Sequence, residues 1–278
     1  MARVDVTYYA APGPLTELTA HQAELIRRLA LDPVGLCRAA QGLVVPPHDA
    51  FGAGLSEQRM AERNTRPASA LLQRVLELDS LTPLDALRPA DGRVVGTCRH
   101  FAVLATAFLR AMNLPARARC GFATYFVPRK KVDHWITEYW SNADQRWIRI
   151  DPEYLDRPTP EPAHPGDLRP GEFLAAAEAW QLVRSGREDP ADFGVFGTEN
   201  WGPGEIRANA MRDLASVARK IEMLPWDEWG PMEASYRGDT DDNFDVLIDQ
   251  LAVATLGHDQ MDMQRIYEQL AVPTSMIC

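Results

Sequence analysis

Nowhere in its 278 residues does the chain carry eighteen consecutive apolar residues, so it offers no helix able to span a bilayer. Its opening stretch, MARVDVTYYAAPGPLTEL, lacks the charged start and unbroken apolar core of a secretory leader. Basic charge is also short: 29 Lys and Arg face 39 Asp and Glu, a formal net charge of −10. A phosphate backbone or an anionic membrane surface calls for the opposite balance, so neither nucleic acid nor membrane is an expected partner. No GxxxxGK[ST] or GxGxxG stretch is present to cradle a nucleotide. The four cysteines, Cys37, Cys98, Cys120 and Cys278, are dispersed and form no CxxC pair. Without an export signal they are expected to be free thiols in a reducing cytoplasm. Internal repeats and low-complexity tracts are missing as well.

What remains is an ordinary globular composition, 46% apolar and 24% charged, long enough for one large domain or a domain with an extension. Residues 15–32 read as a helix with Leu15, Leu18, Leu25, Ile26 and Leu29 on one stripe, interrupted by Gln22 and ended by Pro33. A second helix fits PASALLQRVLELDS. The strongest helical pattern follows Cys98: Phe101, Leu104, Ala105, Phe108, Leu109 and Met112 recur at helical spacing, with Thr97 as N-cap and Pro115 as stop. Three strand-like segments come next, at 116–127, 134–140 and 146–151, the last two forming a hairpin across SNADQ. Six prolines between residues 152 and 170 mark an extended connector. Beyond it, GEFLAAAEAWQLVRSG, PGEIRANAMRDLASVARKIEML and NFDVLIDQLAVATL are helical. This order implies an α+β fold, with an N-terminal helical segment (1–64), a core (65–152) and a connector with helical extension (153–278).

A cysteine at the first turn of a helix has two readings. It is either a small thiol filling core or a nucleophile at the positive end of the helix. There, free backbone N–H groups favour a thiolate below the usual pKa of roughly 8.5 and can face a developing oxyanion. His134 and Asp151 favour the second. If Ser141 and Asp144 flank a two-residue loop, paired residue numbers sum to 285 and His134 lies directly opposite Asp151. Any odd sum keeps both on one sheet face, whereas a one-residue slip separates them. Opposed side chains allow an imidazole–carboxylate hydrogen bond, the orienting contact of a triad.

GTCRHFAVLATAFLRAMNLPARARCGF, DHWITEYW and RWIRIDP together resemble the core of the transglutaminase-like superfamily, over roughly residues 65–152. The resemblance implies a papain/transglutaminase-like core, with the nucleophile helix packed on an antiparallel sheet and helical extensions at both ends. It also implies a Cys98, His134, Asp151 triad, and reaction through an acyl-thioenzyme at amide, peptide or thioester carbonyls. There are departures. Trp135 follows His134 at once, and Arg99 stands where the cross-linking animal enzymes carry tryptophan. The chain leaves no room for their flanking β-domains, so calcium-dependent cross-linking is not expected. Residues 153–278 resemble nothing identifiable and are where substrate choice is expected to lie.

Other residues keep two readings each. Trp135 and Trp147 either wall the site or pack. Glu138 is a second acidic group or, read first, a solvated edge charge. Arg99 is a clamp for a substrate carboxylate or, read first, a solvated first-turn arginine. His100 reads as a surface residue or one just behind the site. Asn200 and Trp201, in TENWGPGEIRAN, belong to a pocket wall or to a loop entering a core helix. A zinc site from Cys98, His100, Cys120 and His134 lacks ligand spacing. DTDDNFDVLIDQ has Phe244 and Gln250 where a calcium loop requires glycine and glutamate. No metal or cofactor is therefore expected. The expected function is hydrolysis of a peptide or amide, or acyl transfer to an amine. The substrate would be a peptide, protein or small-molecule acyl compound. A specialised acyltransferase fed by a carrier thioester shares the same triad. The contrasting reading is a non-catalytic module that binds a peptide or protein.

Overall fold

The computed structural model describes residues 5–157, 162–273 and 276. Cys278 lies outside the described residues. The chain divides into two compact units, residues 1–118 with 136–168, and residues 119–135 with 169–278.

The first unit opens with α1 (Ala20–Arg28) and α2 (Pro33–Gln41). The single helix expected over 15–32 is thus shorter and begins later. Thr19 caps α1 in a capping box with Gln22, and Ala30 turns the chain with a positive φ of 51°. Pro33 does not stop a helix. It occupies the first turn of α2 behind the Asp32 cap, where a missing N–H costs nothing. Gln22, which breaks the apolar stripe, is buried because its amide is used: Nε2 donates to the Ser69 carbonyl at 2.8 Å and Oε1 accepts from Thr19 N–H at 3.1 Å. There follow β1 (Val44–Val45), α3 (Pro47–Gly52), α4 (Glu57–Met60), α5 (Ala68–Leu78) and β2 (Val94–Val95), which pairs in parallel with β1.

α6 (Cys98–Ala111) is the centre of this unit. Its pattern predicted one apolar stripe, yet Ala102, Val103, Thr106 and Ala107 are buried as well, so the helix is enclosed on all sides. α1, α2 and α5 pack against it. On the sheet side, Thr137 Oγ1 donates to the Ala102 carbonyl at 3.1 Å.

Strands β3 (Ala116–Ala123) and β4 (Lys131–Ser141) each run through both units. In the first unit β4 pairs antiparallel with β5 (Arg146–Ile150). The paired numbers sum to 287, as in Thr137 with Ile150, where 285 was expected. The loop is four residues long instead of two. Ser141 Oγ donates to Asp144 Oδ2 at 2.7 Å and accepts the Asp144 N–H at 3.1 Å, and Gln145 adopts a φ of 53° to close the turn. A two-residue offset keeps the side-chain phase of the paired residues, but it removes the expected opposition of His134 and Asp151: the ladder reaches Thr137 with Ile150, and Asp151 lies beyond the end of β5. The proline-rich connector then returns beside β5, with Asp151 N–H donating to the Pro165 carbonyl and Leu168 N–H to that of Arg149.

In the second unit the end of β3 pairs antiparallel with β6 (Phe173–Ala175), and the start of β4 pairs in parallel with β7 (Phe193–Gly194). GEFLAAAEAWQLVRSG is therefore not wholly helical: its first apolar residues form β6, and α7 (Ala176–Arg184) starts where Glu178 accepts the Ala175 N–H at 2.8 Å. β3 can approach β6 this closely only through Gly121, since a Cβ there would lie 2.1 Å from the Leu174 carbonyl oxygen. α8 (Pro203–Val217), α9 (Gly230–Tyr236), α10 (Asp242–Gly257) and α11 (Gln260–Gln269) complete the unit.

α8 buries a charged stripe. Arg119 holds Asp213 in a fork, Nε to Oδ1 at 2.9 Å and Nη2 to Oδ2 at 2.8 Å. Further along, Arg212 Nη1 donates to Glu205 Oε1 at 3.1 Å, and Tyr236 Oη donates to Glu205 Oε2 at 2.6 Å. Burial outweighs the pull of Arg212 and pushes the Glu205 carboxyl up to about 7. Between the usual carboxylate value near 4.5 and that point, the folded chain holds a proton that the unfolded chain has released. The resulting stabilisation is complete at low pH and is lost as pH rises through 7. Thermal melts at pH 5 and pH 8 should therefore show the wild type losing ground to Glu205→Gln at the higher pH. A difference that does not change with pH would contradict this.

Candidate active site

Cys98 occupies the first position of α6, behind an extended Thr97 at φ −94° and ψ 178°. It is half-buried, whereas Cys37 and Cys120 are sealed in the interior. The helix start is built by its neighbours. Thr97 N–H donates to His100 Nδ1 at 2.9 Å, and His100 Nε2 lies 3.1 Å from the Thr65 carbonyl. That pair fixes the tautomer, with the proton on Nε2. Burial pushes the imidazole down to about 3, so His100 is neutral and structural. The expected surface placement is thus corrected: His100 is fully buried, because the capping contact consumes its polar atoms. Gly96 serves the same arrangement, since a Cβ there would lie 2.7 Å from the His100 side chain.

Arg99 is likewise enclosed, with Nη1 donating to the Arg66 carbonyl at 2.7 Å, which overturns its reading as a solvated arginine. Asp151, also in the first unit, is fully buried just beyond β5, and its Oδ1 accepts the Glu153 N–H at 3.0 Å. Glu138 is buried between two cations, Arg117 Nε at 2.7 Å and Arg149 Nε at 2.9 Å, the latter directly across the β4–β5 ladder. It is no solvated edge charge. Trp147 lies against this group, its ring 4.0 Å from the Arg117 guanidinium and edge-on to Tyr9. The unit also contains a cavity of about 630 Å³ whose lining includes Val44, Arg93, Phe101 and Glu153. Phe101 is one helical turn from Cys98, and Glu153 is two residues past Asp151.

His134 lies in the second unit on β4, 3% exposed. Its ring meets Phe126 edge-on at 4.9 Å and Tyr125 at 6.3 Å. Neither aromatic was singled out, because both fell inside the strand expected over 116–127. β3 in fact ends at Ala123, and the pair stand in the following turn. Trp135 is fully buried, and its indole N–H has no acceptor among the described residues. Trp201 seats its ring on Gly194, donates from Nε1 to the Thr198 carbonyl at 3.1 Å and lies 5.4 Å from Lys130 Nζ. Asn200 holds the same loop through backbone bonds to Val195 and Thr198.

No curated protein matches the chain. One similar solved structure is a candidate cysteine protease from Cytophaga hutchinsonii. It is 18% identical, with a TM-score of 0.36, over 64% of this chain and 50% of the other, so the matched part spans about half the length of that protein. The family model for the transglutaminase-like superfamily matches residues 74–152, a span that begins in α5, takes in the helix opened by Cys98 and closes just past Asp151. Over those residues, and not over the rest of the chain, the sequence is similar to the transglutaminase-like superfamily.

Proposed function

We propose that the chain is a thiol enzyme in which Cys98 attacks a carbonyl, His134 carries the proton and Asp151 orients the imidazole. Cysteine-dependent catalysis is the activity that the superfamily suggests. The observation that carries the assignment to Cys98 is its setting: a half-buried cysteine on the first turn of an enclosed helix, while the two other described thiols are sealed. In the proposed sequence, Sγ bonds to the carbonyl carbon as His134 accepts the thiol proton. The oxyanion takes a hydrogen bond from the Cys98 backbone N–H. Collapse of the adduct breaks the carbon–nitrogen or carbon–sulfur bond of the substrate, and His134 returns the proton to the departing group. Water or an amine then takes the acyl group from sulfur. Hydrolysis of an amide or peptide is the leading outcome, and transfer to an amine the next.

Such a nucleophile works only when reduced, which fits a cytoplasmic setting. Among the described residues no helix is long and apolar enough to cross a membrane.

Thiol reactivity tests the assignment. Burial pushes the Cys37 and Cys120 thiols up, so both should resist iodoacetamide in the folded protein even at pH 9. Cys98 should be alkylated at pH 6 to 7, at a rate at least about tenfold that of either, as read by peptide mass spectrometry. Equal rates at the three positions would favour the binding-module reading.

A further inference from the structure

The charged stripe of α8 has no part in the proposed chemistry, yet one end of it grips the residue next to His134. Asn209 is fully buried and uses both ends of its amide. Nδ2 donates to Asp133 Oδ1 at 2.8 Å, while Oδ1 accepts from Arg212 Nη1 at 3.0 Å and from Cys120 Sγ at 3.1 Å. Arg212 is held in turn by Glu205 and by the Asp227 carbonyl at 3.3 Å. The chain of contacts therefore runs from Tyr236 and Glu205 through Arg212 and Asn209 to Asp133. Each of these side chains has at least one polar partner, although Arg212 Nε finds none among the described residues.

We propose that this network is a positioning device for His134: Asn209 clamps Asp133, which fixes the first half of β4, the backbone from which the imidazole projects to the opposite sheet face. The inference rests on the reading of His134 as the proton carrier, and it gives a catalytic purpose to a helix that lies outside the family match. Asp133 and His134 attract one another when both are charged, so an ionised Asp133 favours the imidazolium. The charged and titratable groups that interact with Asp133 are Arg212, His134, Glu205 and Cys120; Tyr236 and the Arg119–Asp213 pair lie one contact further away, on Glu205 and on Cys120. Burial pushes the Asp133 carboxyl up, while Arg212 and the Asn209 hydrogen bond oppose that rise. Removal of the clamp thus changes both the orientation and the charge seen by His134.

The test is an NMR titration of His134 in the full-length chain labelled at histidine carbon. Wild type is compared with Asp133→Asn, Asn209→Ser and Asp213→Asn. Asp133→Asn keeps the side chain's shape and an oxygen that can accept from Asn209 Nδ2, so this variant should fold even if the change at the buried Asn209 does not. Asp213→Asn is the control, because it weakens the other buried pair on α8, which is tied to Arg119 on β3. Asp133→Asn should lower the His134 midpoint by about 0.5 to 1 pH unit, and Asn209→Ser should move it in the same direction by less. Asp213→Asn should lower the melting temperature and leave the midpoint alone. A His134 midpoint unmoved by Asp133→Asn, or moved equally by Asp213→Asn, would overturn the proposal. Failure of the catalytic reading shows separately, as Cys98 alkylation that His134→Ala leaves unchanged while the midpoint shifts appear as expected.

Discussion

Replacement of Cys98 by alanine is expected to lower turnover by at least about 10³-fold while the melting temperature stays within a few degrees of wild type. Removal of the nucleophile takes the covalent route away altogether. What remains is binding and whatever oxyanion stabilisation the helix start provides. The structural cost is small because the position is half-buried at a helix start and the substitution deletes one sulfur atom. Thr97, His100 and Gly96, which shape the turn, are untouched. The measurement is release of amine or thiol from any amide or thioester that the wild type accepts, alongside a thermal melt. His134→Ala should lose activity to a similar degree, and Asp151→Asn should keep the fold and lose the orienting charge. Full turnover in the alanine variant would end the enzyme interpretation.

The second large effect concerns stability. Asp213→Ala should destabilise the protein by about 3–5 kcal/mol, on the order of 10 °C in melting temperature. Both members of the Arg119–Asp213 pair are buried, and Asp213 Oδ1 also accepts the Cys120 N–H at 3.0 Å. The substitution strands a guanidinium and an amide in the interior with their hydrogen bonds unmade, and that loss exceeds the net worth of the intact pair. The double change Arg119→Met with Asp213→Leu removes both charges and should be milder than Asp213→Ala alone. A double variant as unstable as the single one would show that the pair itself, and not the orphaned charge, supplies the stability.

Local features of this protein read accurately wherever the cause lies within a few residues. The helix from Cys98, its Thr97 cap, the helix inside PASALLQRVLELDS and the β4–β5 hairpin all follow from spacing and capping chemistry. The register came out two residues away because the loop length depends on Gln145 taking a left-handed conformation and on Ser141 turning its hydroxyl to Asp144. Loop composition states neither of these. Arg99 and Glu138 read first as solvated, and His100 as a surface residue or one just behind the site, because a charged or polar side chain carries no sign of its partner. The partners lie 33, 21 and 35 positions away, at Arg66, Arg117 and Thr65. The flanking of His134 by Phe126 and Tyr125 was hidden for a related reason. An aromatic pair at a strand end has strand propensity, and only the sheet decides where pairing stops.

The amino-acid order by itself determined the three blocks that carry Cys98, His134 and Asp151, the helix that the cysteine opens and the strand on which His134 stands, since these rest on periodicities of two and 3.6 residues. Tertiary structure alone decided which charges are interior. Arg117, Arg119, Glu138, Glu205, Arg212 and Asp213 are spaced like residues of wet surfaces and are nevertheless buried. Only pairing over long stretches of chain offsets the cost of removing them from water, and that pairing exists nowhere until the chain has folded.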